Sequence, residues 1–223
     1  MVIAYRDKRL VVCRKEPGIL SEHTPTGDGA PDLLAKELGI APENVYVVHR
    51  LDRTTGGLMV FALDAKTAAY LSGEIQNGRF TKEYLALAEG EIDSCDMTDM
   101  LYFDRGRNQA YVVKKRPGAK EARLHSTTIA LWDGIEDTVD KLSLCRVRLE
   151  TGRTHQIRIQ FASRKHPLWG DRKYGAKSHT KACALWSAHL AFTHPNGEAM
   201  DFVLPETGLF PGLPEVPVID WGE

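Results

Sequence analysis

The chain has 223 residues, of which 43% are hydrophobic and 26% charged, and its formal net charge is −1 at pH 7. This composition is typical of a globular protein of one large domain or two small ones. No apolar run approaches the roughly 18–20 residues of a membrane span, and residues 1–8 lack the regions of a signal peptide, so we expect no membrane or secreted protein. The four cysteines are far apart and form no C-x-x-C pair, which favours reduced, largely buried thiols in a cytoplasmic protein.

The first half of the chain alternates short strands with two helices. Residues 9–15 form an apolar strand that a Pro-Gly turn ends, and a loop rich in Thr, Pro and Gly covers 21–30. Further predicted elements are a helix at 31–38, strands at 45–48 and 58–63, and a helix at 65–77. The two strands flank a polar turn, which predicts a strand–turn–strand unit.

Strands dominate the second half. We predict strands at 82–88 and 142–149, two strands within 101–113 around a basic turn at 104–108, a helix at 155–163 capped by Thr154, and a last strand at 185–192. Residues 205–223 are rich in Pro and Gly and predict a tail that wraps the surface. The pattern indicates an α+β fold with a mixed, largely antiparallel sheet and flanking helices. We expect a single domain over 1–223.

The turn between the strands at 45–48 and 58–63 places one carboxylate between two arginines. It reads His49-Arg50-Leu51-Asp52-Arg53-Thr54-Thr55-Gly56-Gly57. Nearby positive charge favours the ionised form of a carboxyl group, so Asp52 is expected to be a carboxylate at neutral pH. This favours a nucleophile or an anchor over a proton donor. The alternative is a solvated turn with an ordinary surface ion pair.

Two further motifs carry polar chemistry. A strand-to-helix turn concentrates two arginines, an imidazole and an amide, in the order Thr151-Gly152-Arg153-Thr154-His155-Gln156-Ile157-Arg158. Guanidinium groups and amides at a helix start suit phosphate or carboxylate partners. The third motif is Lys82-Glu83-Tyr84, in which strand alternation places Lys82 and Tyr84 on one face and Glu83 on the other. Taken singly, each has an ordinary structural explanation, such as a core aromatic or a surface charge.

Together, the three motifs resemble the RluA family of RNA pseudouridine synthases, whose signature has the form H-R-L-D-x-x-T-S-G, then K-x-Y, then T-G-R-T-H-Q-I-R. Other segments resemble family motifs in the same order: Lys15-Glu16-Pro17-Gly18 in a shifted form, His166-Pro167-Leu168-Trp169-Gly170-Asp171 with Tyr174-Gly175, and residues 185–195 with Ala188 and His189 in exchanged order. The resemblance covers nearly the whole chain. It implies the pseudouridine synthase catalytic fold and conversion of a uridine in ribosomal or transfer RNA to pseudouridine, without cofactor or metal.

The resemblance also implies roles for individual residues. Asp52 is expected to be the catalytic carboxylate, Tyr84 the tyrosine that packs on the target base, and Arg158 the basic partner that keeps Asp52 ionised. Arg50 matches the arginine that fills the gap left by the flipped nucleotide, and Leu185 falls where an apolar residue lies against the base. The remaining substrate-binding candidates are His49, Lys82, Arg153, His155 and Gln156.

Two departures from the family pattern bear on function. Gly56 stands where the signature has Ser, which we expect to alter the turn without affecting the carboxylate. The chain also starts directly at the catalytic domain, so we expect no N-terminal accessory RNA-binding domain. RNA choice would then depend on basic segments of this domain, for which the candidates are 105–123 and 164–181.

The distribution of charge is consistent with an RNA partner. Residues 146–181 contain ten Lys or Arg against two acidic residues, whereas 198–223 contain six acidic residues and no Lys or Arg. Such segregation can give a neutral protein a basic face. The alternative is that the charges interleave after folding.

Three alternative functions are compatible with parts of the sequence. A binding module that has lost catalysis predicts a broken Asp52, Tyr84 or Arg158 position, and all three are intact. A metal-dependent hydrolase would need closely spaced histidine ligands, which the eight histidines do not provide. A synthase that acts mainly as an RNA chaperone would need the same basic face, so the sequence leaves it open. We expect a monomer with no metal and no membrane partner.

Overall fold

The structure is a computed structural model, and it describes residues 1–136, 139–178, 180, 183–205, 209–210 and 216–221. The chain forms two compact units. The first comprises Met1–Lys82 and Trp186–Pro205, and the second comprises Glu83–Leu185 and the residues from 206 onward. The expectation of a single catalytic domain stays a prediction. Among the helices in the described ranges, none has the length and apolar character that a membrane span requires.

The first unit is built on strands that surround a fully buried central strand. Its elements are β1 (Val2–Arg6), β2 (Leu10–Lys15), α1 (Ala30–Leu38), β3 (Tyr46–Val47), β4 (Gly56–Ala62), α2 (Ala65–Gln76) and, later in the chain, β10 (Leu185–Thr193) and β11 (Ala199–Val203). Strands β1, β2, β4 and β10 are neighbours in that order, while β3 also pairs with β4 and β11 with β10. Every residue of β4 is buried, which explains its uninterrupted apolar run.

The second unit is an antiparallel sheet with one helix packed on it. Its elements are β5 (Thr81–Glu89), whose first two residues belong to the first unit, β6 (Cys95–Asp104), β7 (Gln109–Val112), β8 (Lys120–Glu136), β9 (Val139–Leu149), α3 (Gln156–Ser163) and a 3₁₀ turn (Arg172–Tyr174). The strand order is β5-β9-β8-β6-β7. Hairpin β6–β7 therefore forms one edge, and its turn carries Arg105 and Arg107.

The predicted α+β fold with a mixed, largely antiparallel sheet is confirmed. The described pairings are antiparallel except for β4 with β10, which is parallel. The three predicted helices are present within a residue of their expected bounds, and the strand–turn–strand unit is formed by β3 and β4. Strands β1, β8 and β11 were not predicted. Neither β1 nor β8 combines a short apolar run with clear turn signals at both ends.

The structure also describes the four cysteines and part of the C-terminal tail. The cysteines are free thiols, with Cys13, Cys145 and Cys183 buried, as predicted. Burial raises the pKa of Cys13 to about 12 and that of Cys145 to about 11, so both stay protonated. In the tail, the Asp220 carbonyl accepts a hydrogen bond from Arg146 on β9. Residues 206–208, 211–215 and 222–223 lie outside the described part of the chain.

Candidate active site

Asp52 lies in the turn that joins β3 to β4 and is partly exposed. The two strands are antiparallel, with Tyr46 opposite Ala62 and Val47 opposite Phe61. The Asp52 carbonyl accepts a hydrogen bond from the Thr55 amide at 3.0 Å, which closes the turn. The carboxylate is therefore presented from a short connection anchored in a buried strand.

The backbone on both sides of Asp52 is held by the loop that follows β2. The Ser21 hydroxyl donates to the Leu51 carbonyl at 2.8 Å and accepts from the Leu51 amide at 3.0 Å. On the other side, the Gly18 amide donates to the Arg53 carbonyl at 2.7 Å, and Arg53 Nε donates to the Gly18 carbonyl at 2.9 Å. Two hydrogen bonds on each side restrict the position of the Asp52 backbone.

Lys15 is a buried residue near Asp52 that the sequence-based site did not include. Its Nζ donates to the carbonyls of Glu16 at 3.1 Å and Ile19 at 2.9 Å, so it also organises the loop that holds Asp52. Burial lowers the pKa of Lys15 to about 8, and the negative charges of Asp52 and Glu16 oppose that shift. The signal for Lys15 was the match of residues 15–18 to an early family turn, which by itself assigns no role.

His49 and Lys82 interact electrostatically in the first unit. His49 Nε2 accepts a hydrogen bond from the Val60 amide at 3.0 Å, so the proton of the neutral ring is on Nδ1. Burial, and then the charge of Lys82, lowers the pKa of His49 to about 3. Burial also lowers the pKa of Lys82. The structure thus brings together two predicted substrate-binding side chains.

The arginines that flank Asp52 have other described partners. Arg50 forms an ion pair with Glu22, and both side chains are more than half exposed. Such an exposed pair contributes little free energy, so Arg50 can exchange Glu22 for another anion at low cost. Arg53 is engaged with the Gly18 carbonyl, as described above. A direct pairing of either arginine with Asp52 stays a prediction.

Gly56 and Gly57 allow β4 to pair closely with β10. A Cβ at Gly56 would overlap the ring of Trp186, and a Cβ at Gly57 would overlap the backbone of Ser187. Gly57 also has a φ of 114°, which side-chain-bearing residues rarely adopt. The departure from the family's Ser at position 56 therefore accompanies a Trp packed directly on that position.

Arg158 lies on α3 in the second unit and is buried. Its Nε donates to Asp171 Oδ2 at 2.6 Å and its Nη2 to Asp171 Oδ1 at 2.9 Å, which is a bidentate ion pair. The guanidinium also lies 5.0 Å from the centre of the Tyr174 ring. The predicted pairing of Arg158 with Asp52, which belongs to the first unit, stays a prediction.

The turn before α3 is held by Gln156, and the expected Thr154 cap is wrong. The N-cap is His155, in a left-handed conformation with φ 56° and no side-chain cap bond. Gln156 Oε1 instead accepts from the Thr151 hydroxyl and the Arg153 amide, while its Nε2 donates to the Arg123 carbonyl. These bonds replace the conventional cap.

Three predicted substrate-binding residues of this turn, Arg153, His155 and Gln156, are held by contacts within the second unit. His155 Nδ1 is hydrogen-bonded to the Tyr174 hydroxyl at 2.7 Å, and Arg153 Nε donates to the Glu121 carbonyl at 2.9 Å. Gln156 is 3% exposed. Contacts of His155, Arg153 and Gln156 with a substrate stay predictions.

Tyr84 and Leu185 are buried residues of the second unit. Tyr84 lies in β5 opposite Val147 of β9, and Leu185 is the first residue of β10. Their neighbour Glu83 is 2% exposed and accepts from Arg146 Nη2 through both carboxylate oxygens at 3.1 Å. Because side chains alternate along a strand, this ion pair lies on the face opposite Tyr84.

The arginine, lysine, histidine and tyrosine side chains described above offer positive charge and hydrogen-bond donors, which suit an anionic ligand. Within the described ranges, no cluster of three or more His, Cys, Asp or Glu side chains has an arrangement that could hold a metal ion. The chemistry that these residues offer consists of a carboxylate, a phenol, guanidinium groups and a buried ammonium group.

Residues 9–163 match the family model described as RNA pseudouridylate synthase. The chain belongs to this family, which confirms the resemblance seen in its motifs.

Individual relatives are consistent with this membership. The chain is 34% identical over 184 residues to an uncharacterised RNA pseudouridine synthase of Bacillus subtilis, YhcT, covering 79% of this chain and 58% of that protein. It is 31% identical over 224 residues to ribosomal large subunit pseudouridine synthase D of Haemophilus influenzae, covering 91% of this chain and 66% of that protein. The chain therefore spans less than two thirds of the length of these relatives.

A solved structure shows the same fold. Human RNA pseudouridylate synthase domain containing 1 superposes with a TM-score of 0.75 at 21% identity, covering 92% of this chain and 83% of that one. The expected pseudouridine synthase fold is confirmed.

Proposed function

We propose that this chain is an RNA pseudouridine synthase that isomerises uridine in ribosomal or transfer RNA, with Asp52 as its catalytic carboxylate. The observation that carries the proposal is the Asp52 turn, whose backbone is fixed on both sides by the loop at residues 18–21. Membership of the RNA pseudouridylate synthase family supports the same reaction. We place the protein in the cytoplasm, acting as a monomer without cofactor or metal.

The proposed reaction is an isomerisation and needs no co-reactant. The bond between uracil N1 and ribose C1′ breaks, a bond between uracil C5 and C1′ forms, and the hydrogen on C5 is lost while N1 gains one. Asp52 acts at the junction of ribose and base. Tyr84 packs on the base and assists proton transfer, Arg158 keeps Asp52 ionised, and Leu185 provides an apolar wall that retains the detached base.

Access to the target base requires it to leave the RNA stack. Extruding a base costs a few kcal/mol, roughly, and the enzyme must recover part of this cost through new contacts. Arg50 is suited to occupy the vacated space, because its guanidinium is exposed and held by a surface pair with Glu22. His49 and Lys82 supply a neutral N–H donor and a cation for the flipped nucleotide.

We propose a second RNA-binding surface, the basic hairpin, defined as residues 105–123, which run from the turn of β6–β7 through β7 to the first residues of β8. All seven of its cationic residues are exposed, namely Arg105, Arg107, Lys114, Lys115, Arg116, Lys120 and Arg123. Neutralising phosphates with Lys and Arg gives affinity that is independent of sequence and dependent on salt. The other candidate segment, 164–181, also presents exposed cations at Lys165, Arg172, Lys173 and Lys177. Its Arg164 is paired with Asp99, and Lys181 lies outside the described residues.

The experiment that tests the proposal compares the wild type with Asp52→Asn. RNA tritiated at uridine C5 loses its label when C5 forms the new bond, so tritium release reports the reaction directly. We expect release by the wild type and none by Asp52→Asn, with both proteins melting at the same temperature. The matched control is Glu43→Gln, an exposed carboxylate of the same unit, which should keep full activity. Turnover by purified Asp52→Asn would reject Asp52 as the catalytic group.

A further inference from the structure

Asp171 and Tyr174 surround the Arg158 guanidinium within a single short turn of the chain. Asp171 is 2% exposed and directly precedes the 3₁₀ turn Arg172–Tyr174, and the Tyr174 amide donates to the Asp171 carbonyl at 3.0 Å. Asp171 binds two of the five guanidinium N–H donors of Arg158, while the Tyr174 ring covers the guanidinium at 5.0 Å. The same turn thus orients Arg158 from two directions.

Tyr174 also contacts two other elements of the second unit. Its hydroxyl oxygen accepts a hydrogen bond from the Ala110 amide of β7 at 2.8 Å. The same hydroxyl forms a hydrogen bond with His155 Nδ1 at 2.7 Å. The His155 ring in turn packs edge-on against Phe103 of β6, with centroids 5.5 Å apart. Tyr174 therefore contacts Arg158, the residue that caps α3, and β7 of the basic hairpin, and it reaches β6 through the His155 ring.

We propose that Asp171 and Tyr174 are positioning residues for Arg158, and that Tyr174 connects Arg158 to the basic hairpin. The inference rests on the proposed function, in which Arg158 acts on Asp52. A long, flexible arginine side chain loses conformational freedom when it is held in one orientation, and a buried bidentate carboxylate pays that cost before RNA binds. RNA bound on the hairpin is then coupled through β7 and Tyr174 to the orientation of the guanidinium.

The test uses Asp171→Asn and Tyr174→Phe in the full chain. The substrate is C5-tritiated total RNA from cells that lack this gene, and initial rates against RNA concentration give kcat and KM. Misorientation of a reacting group by about 1 Å can cost about 100-fold, so we expect Asp171→Asn to lower kcat by up to about 100-fold. Tyr174→Phe keeps the ring but loses two hydrogen bonds, and we expect a loss of about fivefold in kcat. KM should change little in both variants.

Double variants separate positioning from general structural damage. Because Asp171 and Tyr174 act through Arg158, each change should reduce kcat far less in an Arg158→Lys background than in the wild type. The matched control is Asp99→Asn, which breaks the Arg164 ion pair at the other end of α3 and should keep the wild-type kcat. If Asp171→Asn fails to fold, the kcat of Tyr174→Phe in the wild-type and Arg158→Lys backgrounds tests the inference by itself.

The inference is overturned if Tyr174→Phe and folded Asp171→Asn keep the wild-type kcat, or if their losses multiply in full with that of Arg158→Lys. Either result, together with an active wild type and an inactive Asp52→Asn, leaves the proposed function standing. An active Asp52→Asn, or a wild type that releases no tritium, removes the proposed function and this inference with it.

Discussion

His49 is held neutral by its surroundings, although it lies near Lys82 and three residues from Asp52. Its Nε2 is occupied by the Val60 amide, and burial lowers its pKa to about 3. The ring can therefore donate through Nδ1 at every pH at which the enzyme is expected to work. Because its pKa is about 3, this histidine does not act as a proton shuttle near neutral pH.

The lowered pKa of His49 predicts a specific loss of stability in acid. The unfolded histidine titrates near pH 6.5 and the folded one near 3, so the unfolded chain binds more protons between these values. The free energy of unfolding should therefore fall as pH drops from 6.5 toward 3. His49→Gln keeps an acceptor for the Val60 amide and cannot titrate, so its free energy of unfolding should fall less over this range. Urea denaturation at several pH values measures the difference, and identical pH dependence in the two proteins would contradict the pKa of His49.

The individual catalytic candidates could be identified from sequence because each lies in a short, contiguous motif. Their supporting residues could not be identified in the same way. Lys15 reaches the Asp52 loop from β2, and Asp171 reaches Arg158 from a turn 13 residues downstream. Burial and pairing across such separations depend on packing, which local patterns do not encode. The direct pairing of Asp52 with Arg158 stays a prediction.

At the scale of elements, the parallel contact of β4 with β10 requires residues without side chains. Gly56 lies opposite Trp186 and Gly57 opposite Ser187 in the register of the two strands. The Trp186 ring occupies the space that a side chain at position 56 would need, and the Arg14 guanidinium lies 5.0 Å from its centre. The Ser of the common family signature is therefore incompatible with the Trp186 position in this chain.

This packing predicts the effect of restoring the family residue. Gly56→Ser should destabilise the chain by about 1–3 kcal/mol, because a buried site without free volume must accommodate extra atoms. The double variant Gly56→Ser with Trp186→Leu should lose less free energy of unfolding than the sum of the two single losses. The smaller leucine makes room for the serine side chain, and the serine fills part of the space that the indole leaves. The measurement is guanidinium denaturation of the single and double variants. Gly73→Ser on α2, where a Cβ meets nothing within 4 Å, is the control and should be neutral or stabilising. Additive costs would show that Trp186 does not exclude Ser from position 56.

The basic hairpin predicts a salt-dependent contribution to RNA binding. Arg105→Gln combined with Arg107→Gln should weaken RNA binding, and the slope of log affinity against log salt should decrease by about 0.7 for each phosphate of single-stranded RNA that is no longer neutralised. Lys8→Gln combined with Lys66→Gln removes two exposed cations from the first unit and should change neither quantity. Fluorescence anisotropy with labelled RNA at several salt concentrations gives both values. Equal slopes for the wild type and the hairpin variant would show that these arginines do not contact phosphate.

Element-level prediction succeeded where hydrophobic periodicity was strong and failed where it was weak. The helices and β2, β4, β5 and β9 combine apolar repeats with clear turn residues, and the structure contains them close to the expected bounds. Strand β8 spans 17 residues, with irregular pairing at Thr128/Ala130 and Asp133/Glu136. Its first nine residues contain only two apolar side chains, Ala122 and Leu124, so no regular hydrophobic pattern identified it. The predicted Thr154 cap was wrong because the Gln156 side chain holds this turn through hydrogen bonds with Thr151, Arg153 and Arg123.

At the scale of the whole molecule, folding neutralises part of the charge that is segregated in sequence. Within the basic stretch 146–181, three arginines form ion pairs with carboxylates of the second unit: Arg146 with Glu83, Arg158 with Asp171 and Arg164 with Asp99. The alternative in which the charges interleave after folding therefore holds for these residues. Exposed cations remain both in this stretch and in the basic hairpin that precedes it, where Arg123 is itself paired with Glu121 and Glu150.

The central claim is that this chain forms pseudouridine in cellular RNA through Asp52, and pseudouridine mapping of total RNA tests it most directly. Four strains are compared: one with the gene, one without it, and two in which the deletion carries either the wild-type or the Asp52→Asn gene. The account predicts that a discrete set of uridines loses modification in the deletion strain and regains it with the wild type but not with Asp52→Asn. Identical maps with and without the gene, or full restoration by Asp52→Asn, would contradict it.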